Sequence, residues 1–156
     1  MQLATEANSS ESFSLDRSKN AVRFERALSA SKDEVFSAWT DPRQVEAWWD
    51  PTGTPLERCE MDVRVGGSFT FVGREHPDRP FTGTYREIRR PELLVFDALG
   101  AEGRISLSSE GEHTRMVVEI ICSGPEHLAQ FVQMGVANGT SQTLDNLVEY
   151  TASKER

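Results

Sequence analysis

Lysine is scarce in this chain, with three among 156 residues, and the net charge is −8. The arginines are scattered, and Arg89-Arg90 is the densest basic point. Nucleic acid and anionic membrane surfaces are poor partners for such a chain, because neutralising phosphates needs clustered basic side chains. Apolar runs are also short. None approaches the roughly 20 residues of a membrane span, and MQLATEANSSES at the start has no basic segment followed by an apolar block, so it does not read as a secretory signal. A cytoplasmic, reducing location is the expectation. The two cysteines, Cys59 and Cys122, belong to no CxxC pair and sit in apolar or strand-like runs, which reads as two buried reduced thiols. The three histidines, His76, His113 and His127, lie far apart, in or beside turns. With no HxH, HExxH or Cys/His cluster, no GxSxG elbow, no phosphate loop and no dinucleotide fingerprint, the chain is expected to use no metal and no redox cofactor.

What is present is the texture of one soluble domain, 37% apolar and 27% charged. Residues 1–12 are small and polar and read as a loose tail, which leaves 13–156 as the domain. Phe13 to Leu15 reads as a short strand arm. In Ala21 to Ser29, Val22, Phe24 and Leu28 alternate with polar residues at strand period, and Arg26 falls on the apolar side. Ser31 with Glu34 three residues on forms a capping-box pattern that opens a helix, whose apolar stripe is Val35, Phe36 and Trp39. Asp41-Pro42 ends that helix and starts a second short one, with Val45, Trp48 and Trp49.

Leu56 to Val65 reads as a strand closed by Gly66-Gly67. Strands follow over Ser68–Arg74, Phe81–Ile88, Leu93–Leu99, Arg104–Ser109 and Thr114–Cys122. Runs at about ten-residue spacing joined by turns predict an antiparallel meander. From Glu126 to Ser153 proline is absent and Leu128, Val132, Val136, Thr140, Leu144, Leu147 and Thr151 form one stripe, which predicts a single long helix. The class is α+β. A curved antiparallel sheet around one long C-terminal helix leaves a space between them, and that space is the functional suggestion.

Several side chains have two readings. Glu60 and Asp62 share a strand face; they form either an acid/base pair in a cleft or a solvated face on which Asp62 and Arg64 neutralise each other, and the solvated face is favoured. Arg26 either anchors a ligand carboxylate or pairs with Glu60 or Asp62 at the cavity wall. Trp48 and Trp49 point about 100° apart on their helix, so one packs inward and the other lines an opening or a partner surface. Tyr85, with Gly83 two residues before it, suits a packed core or a cavity wall. Gly135 and Gly139, four apart on the predicted helix, mark a close approach by a strand or by a ligand, with Asn138 nearby as a polar contact.

The run from Arg26 to Trp49, then Asp62-x-Arg64-x-Gly66-Gly67, Gly83-x-Tyr85-x-Glu87-Ile88 with Pro91 and Leu93-Leu94-Val95-Phe96, and Gly139 with Leu144-Asp145-x-Leu147, resembles the family named for activators of the heat-shock protein 90 ATPase. That family lies within the START-type, polyketide-cyclase-like (SRPBCC) superfamily. Ser31 and Thr140 depart from its pattern, which usually has proline and tryptophan at these positions. The resemblance implies a helix-grip fold with an internal apolar cavity, and stress response is the role the family's name carries.

The function expected is therefore that of a small-molecule binding protein, monomeric or homodimeric, holding a hydrophobic or amphipathic ligand between sheet and last helix. Arg26, Trp49, Phe71, Tyr85, Phe131, Met134, Gly135 and Asn138 are the ligand-binding candidates. Catalysis of a cyclase or hydrolase type in the same cavity, with Glu60, Asp62, Arg26 or Tyr85 as its polar groups, is an alternative left open but not preferred. A chaperone-interacting protein using an outer surface is the third reading.

Overall fold

A computed structural model of the protein describes residues 13–154; the proposed tail, residues 1–12, lies outside them. The described chain runs β1 (Phe13–Asp16), β2 (Ala21–Leu28), α1 (Lys32–Thr40), α2 (Pro42–Trp48), β3 (Arg58–Met61), β4 (Ser68–Val72), β5 (Phe81–Arg89), β6 (Leu93–Ala98), β7 (Ala101–Glu110), β8 (His113–Ile121), α3 (Pro125–Gln133) and α4 (Val136–Lys154). The strands form one curved antiparallel sheet in the order β1-β2-β8-β7-β6-β5-β4-β3. Consecutive strands from β3 to β8 are neighbours, so the meander is local, and β2 returns to pair with β8, Phe24 opposite Val118 and Arg26 opposite Met116. With α4 held against the sheet, this is a helix-grip fold.

The two short helices form where the capping chemistry puts them. Glu34 N–H donates to Ser31 Oγ at 3.1 Å and Ser31 N–H donates back to Glu34 Oε1 at 2.9 Å, so two otherwise unpaired donors are satisfied reciprocally. Asp41 Oδ1 accepts from Arg43 N–H at 3.0 Å, with Pro42 at the first helical position, where its missing N–H costs nothing. The core lies between the sheet's inner face and the helices. Phe24, Leu28, Ile105, Met116, Leu144 and Leu147 are all nearly inaccessible, and each large apolar side chain so buried contributes about 1.5–3 kcal/mol.

Two expectations need correction. The single helix over Glu126 to Ser153 is two helices, broken at Met134-Gly135, because Gly135 adopts φ +80 and ends α3 in a left-handed residue. The strand expected over Leu56 to Val65 is only Arg58–Met61. Beyond it the chain turns: Arg64 N–H donates to Asp62 O, and Gly67 N–H donates to Arg64 O.

Candidate functional site: a cavity between sheet and last helix

The curvature of the sheet and the line of α4 enclose a cavity of about 270 Å³. Its sheet side is Phe96 and Ala98 of β6, Ala101, Gly103 and Ile105 of β7, and Val118 and Ile120 of β8. Its helix side is Val136, Gly139, Thr140, Thr143 and Leu144 of α4. Trp39, Trp49, Pro51 and Phe81 close one part of the wall, and Leu99 and Phe131 another. The alternation of strand side chains explains the sheet wall: residues 101, 103 and 105 share one face, as do 118 and 120. The helical period explains the other, since 136, 139, 140, 143 and 144 fall on one side of α4.

The small residues make the room. A Cβ on Gly139 would meet only Pro51 Cγ, at 3.8 Å. Gly103 lies under the ring of Phe96, which would stand 2.6 Å from a Cβ there, so that ring can lie flat on the cavity floor. Thr140 also lines the space.

None of the described residues lining this cavity carries an ionisable side chain. Its polar groups are two threonine hydroxyls, two indoles and the backbone. Thr143 Oγ1 donates to the carbonyl of Trp49 at 2.8 Å, which ties α4 to the end of α2. Trp48, packed inward, donates its Nε1–H to Ala38 O at 3.1 Å. The three tryptophans form one cluster, with centroids 4.9 Å apart for Trp39 and Trp48 and 5.8 Å for Trp48 and Trp49. Trp39 is 6% exposed, yet among the described residues nothing accepts its Nε1–H. A buried donor left in that condition costs about 1–3 kcal/mol.

Trp49 and Phe131, of the ligand-binding candidates, are in the cavity wall. Phe71 and Tyr85 sit behind it, with Phe69, Phe96 and Trp49, around a gap of about 10 Å³, which has room for no more than one water. The ring contacts there, 4.9 Å for Phe69–Phe71 and 5.3 Å for Phe69–Tyr85, are those of a packed aromatic core. Met134 is 77% exposed at the break between helices, Asn138 is exposed, and Gly135 has nothing within 4 Å of where a Cβ would stand; none of the three is in the wall.

Arg26 is outside the wall as well. It is buried between β2 and α4: its Nε donates to Asp145 Oδ1 at 2.9 Å, one terminal nitrogen to Ser141 Oγ at 2.9 Å and the other to Glu25 O at 3.1 Å. The sequence leaves it either anchoring a ligand carboxylate or pairing with Glu60 or Asp62; in the structure its carboxylate partner is Asp145 of the last helix. Glu60 and Asp62 are exposed, and Asp62 pairs with Arg64 at 2.9 Å.

Burial pushes the Cys59 thiol up to about 12, with the charges of Glu46 and Asp41 adding to the effect. Burial likewise raises the Tyr85 phenol, helped by Cys59 and Asp62. Both groups are therefore protonated at neutral pH and unsuited to act as nucleophile or base. Among the described residues no three His, Cys, Asp or Glu side chains come together as a metal site would require, and no helix is long and apolar enough to cross a membrane. A second depression, about 540 Å³, lies open on the surface beside Leu99, Gly100 and Ser123 to His127. There His127 Nδ1 accepts from Ser123 N–H at 3.0 Å, a local closure of the start of α3.

Sequence reasoning missed Trp39, Pro51, Phe81, Leu99 and Thr143 as wall residues. The stripe Val136, Thr140 and Leu144 was the available signal for the helix side. Nothing local marks Pro51 or Leu99, which reach the wall only through the tertiary fold.

Solved structures with this architecture come from several bacteria. A protein of Nitrosomonas europaea superposes with a TM-score of 0.78 at 20% identity, over 86% of this chain and 96% of its own. One from Arthrobacter aurescens gives 0.75 at 22% identity, over 91% of each chain. CalU16 of Micromonospora echinospora gives 0.63 at 25% identity, over 86% of this chain and 78% of its own. No curated protein matches the sequence. The family model described as Activator of Hsp90 ATPase homolog 1-like protein matches residues 29–152, from the turn before α1 to the last helix, and the chain belongs to that family.

Proposed function

We propose that the protein binds a small, uncharged, mostly apolar molecule between the sheet and α4. The observation that carries this reading is a concave space of about 270 Å³, partly open to solvent, whose described lining holds no ionisable side chain. Apolar walls with a few polar groups are what ligand pockets have in common, and the volume falls just below the roughly 300 Å³ at which drug-sized pockets begin. The occupant is accordingly small, one or two rings or a short branched chain. A general acid/base mechanism inside the cavity would need titratable groups that this wall lacks, so binding is preferred to a cyclase or hydrolase activity.

Gly139 provides the test. It lies in the wall, in helical conformation, and a side chain there meets only an ordinary contact with Pro51. Leucine at this position should fill the cavity. The wild-type protein is expected to bind the neutral two-ring fluorophore 2-methoxynaphthalene saturably at one site. Gly139→Leu should lose that binding while its melting temperature holds or rises, since glycine inside a helix costs about 1 kcal/mol relative to alanine. Absence of saturable binding in the wild type, or undiminished binding in the variant, would defeat the reading.

A further inference from the structure

We infer that His127 is a pH-sensitive fastener of the cavity wall, neutral when the wall is in order, and that acidification weakens ligand binding by charging it. The inference rests on the binding reading above.

His127 stands outside the cavity, in the first turn of α3, and lies against two elements that supply its wall. Its ring meets that of Phe131, one helical turn on, in an edge contact at 4.8 Å. A Cβ on Gly100 would stand 3.5 Å from the imidazole Cε1, so the same ring also packs on the β6–β7 turn. Phe131 and Leu99, the residue before Gly100, are both in the wall. Leu99 is 57% exposed and lines the surface depression as well. The wall here is one side chain thick, and His127 joins its two sides.

The protonation state of the ring follows from its donor. The backbone N–H of Ser123 donates to Nδ1 at 3.0 Å, and a backbone N–H can only donate. Nδ1 thus carries no proton, and the neutral ring has its proton on Nε2. The Ser123 hydroxyl is 3.1 Å from the same Nδ1. Charging the ring puts a proton on Nδ1, which turns two donors toward each other. It also places a positive charge in the first turn of a helix, where the dipole disfavours it. Nothing local replaces the lost bond, since the N-cap is Gly124, with no side chain to offer. Both effects have one sign. The ordered wall favours neutral His127, so affinity is full above the imidazole's titration and falls as pH drops through it, between about pH 8 and 5.

Of the residues around the depression, Glu126 is the other charged one; it favours protonation, but it is exposed and screened by solvent. Asp97 and Glu102, on the strands joined by the turn, are paired with Arg86 and Arg104. The described cavity lining has no ionisable group to titrate, and the other histidines are exposed elsewhere, His76 before β5 and His113 at the start of β8.

The test uses 2-methoxynaphthalene, which has no titratable group, against wild type and His127→Gln, whose amide oxygen can accept from Ser123 N–H at any pH. From about pH 8 to 5 the wild-type affinity should fall about two- to ten-fold, the range of one net hydrogen bond, while the variant keeps its affinity. In 15N-labelled wild-type protein without probe, the Ser123 amide proton should move upfield on acidification. The Phe131 ring protons should shift with the same midpoint. This arm depends neither on the variant folding nor on the probe. Equal pH dependence in both proteins, or a Ser123 amide that follows no imidazole titration, would overturn the fastener and leave the binding reading standing. If the probe fails to saturate wild type at any pH, the binding reading falls and this inference with it.

Discussion

Arg26 illustrates how one side chain can fasten two elements. Its guanidinium is buried, at 8% side-chain exposure, while its partner Asp145 is 48% exposed. Removing either partner has unequal consequences. Asp145→Asn keeps an acceptor oxygen beside Arg26 but removes the compensating negative charge, and should cost about 1–3 kcal/mol, below the 3–5 of a fully buried pair because solvent reaches the carboxylate. Arg26→Met keeps much of the stem's volume and removes the charge, so its loss should be the smaller. Urea denaturation of the two variants measures both; equal stability in all three proteins would show that the contact fastens nothing. Arg26 was conspicuous in the sequence because a charge fell on the apolar face of a strand. Its partner was not legible there, since Asp145 lies 119 residues away and the sheet order that brings β2 under α4 is a long-range fact.

At the scale of elements, the glycines of the last helical region divide into two kinds that look alike in sequence. Gly135 has φ +80 and open space around it; Gly139 is helical and faces the cavity. Gly135→Ala should destabilise by about 1–2 kcal/mol through its left-handed backbone, whereas Gly139→Ala should stabilise by up to about 1 kcal/mol through helix propensity. Thermal denaturation distinguishes them, and the same sign for both would contradict the break between α3 and α4. In the sheet, Gly83 is a different case: a methyl there would collide with the ring of Phe69 and lie 2.5 Å from Asp97 O. The elements themselves were largely legible. The capping box at Ser31, the Asp41-Pro42 break and the strand spacing each follow from local chemistry and agree with α1, α2 and β4 to β8. The break at Met134-Gly135 was missed because an apolar stripe runs through it unbroken, and a positive φ leaves no trace in periodicity.

At the scale of the whole molecule, the expectation of two buried thiols holds for Cys122 only, and half-buried Cys59 together with the buried Tyr85 implies a pH limit. The folded Cys59 thiol is held up at about 12 by burial, while an unfolded thiol ionises near about 8.5. At this thiol, folded and unfolded chains hold the same proton below that lower value. Above it the unfolded chain releases a proton that the folded one keeps, so stability is full at neutral pH and declines as pH rises toward 12. The Tyr85 phenol, also raised by burial, acts in the same direction at higher pH. Melting temperature should fall between about pH 9 and 11, and Cys59→Val should reduce the fall. A melting temperature flat across that range would remove the thiol from this role. The container was legible from the sequence, whereas the lining was legible only in part: Trp49 and Phe131 were named for it, but Phe71 and Tyr85 belong to the packed aromatic core behind it. An aromatic residue on an inward strand face is equally suited to both places, and only the curvature of the sheet decides between them.

The last helix separates two tasks onto two of its sides. Val136, Gly139 and Thr140 look into the cavity, while Ser141 and Asp145 hold the buried arginine of β2. On the binding reading, substitution at 136, 139 or 140 would recarve the chamber and leave the fastening untouched, so ligand preference could change without loosening the scaffold. A combinatorial library confined to those three codons is the place to test that separation.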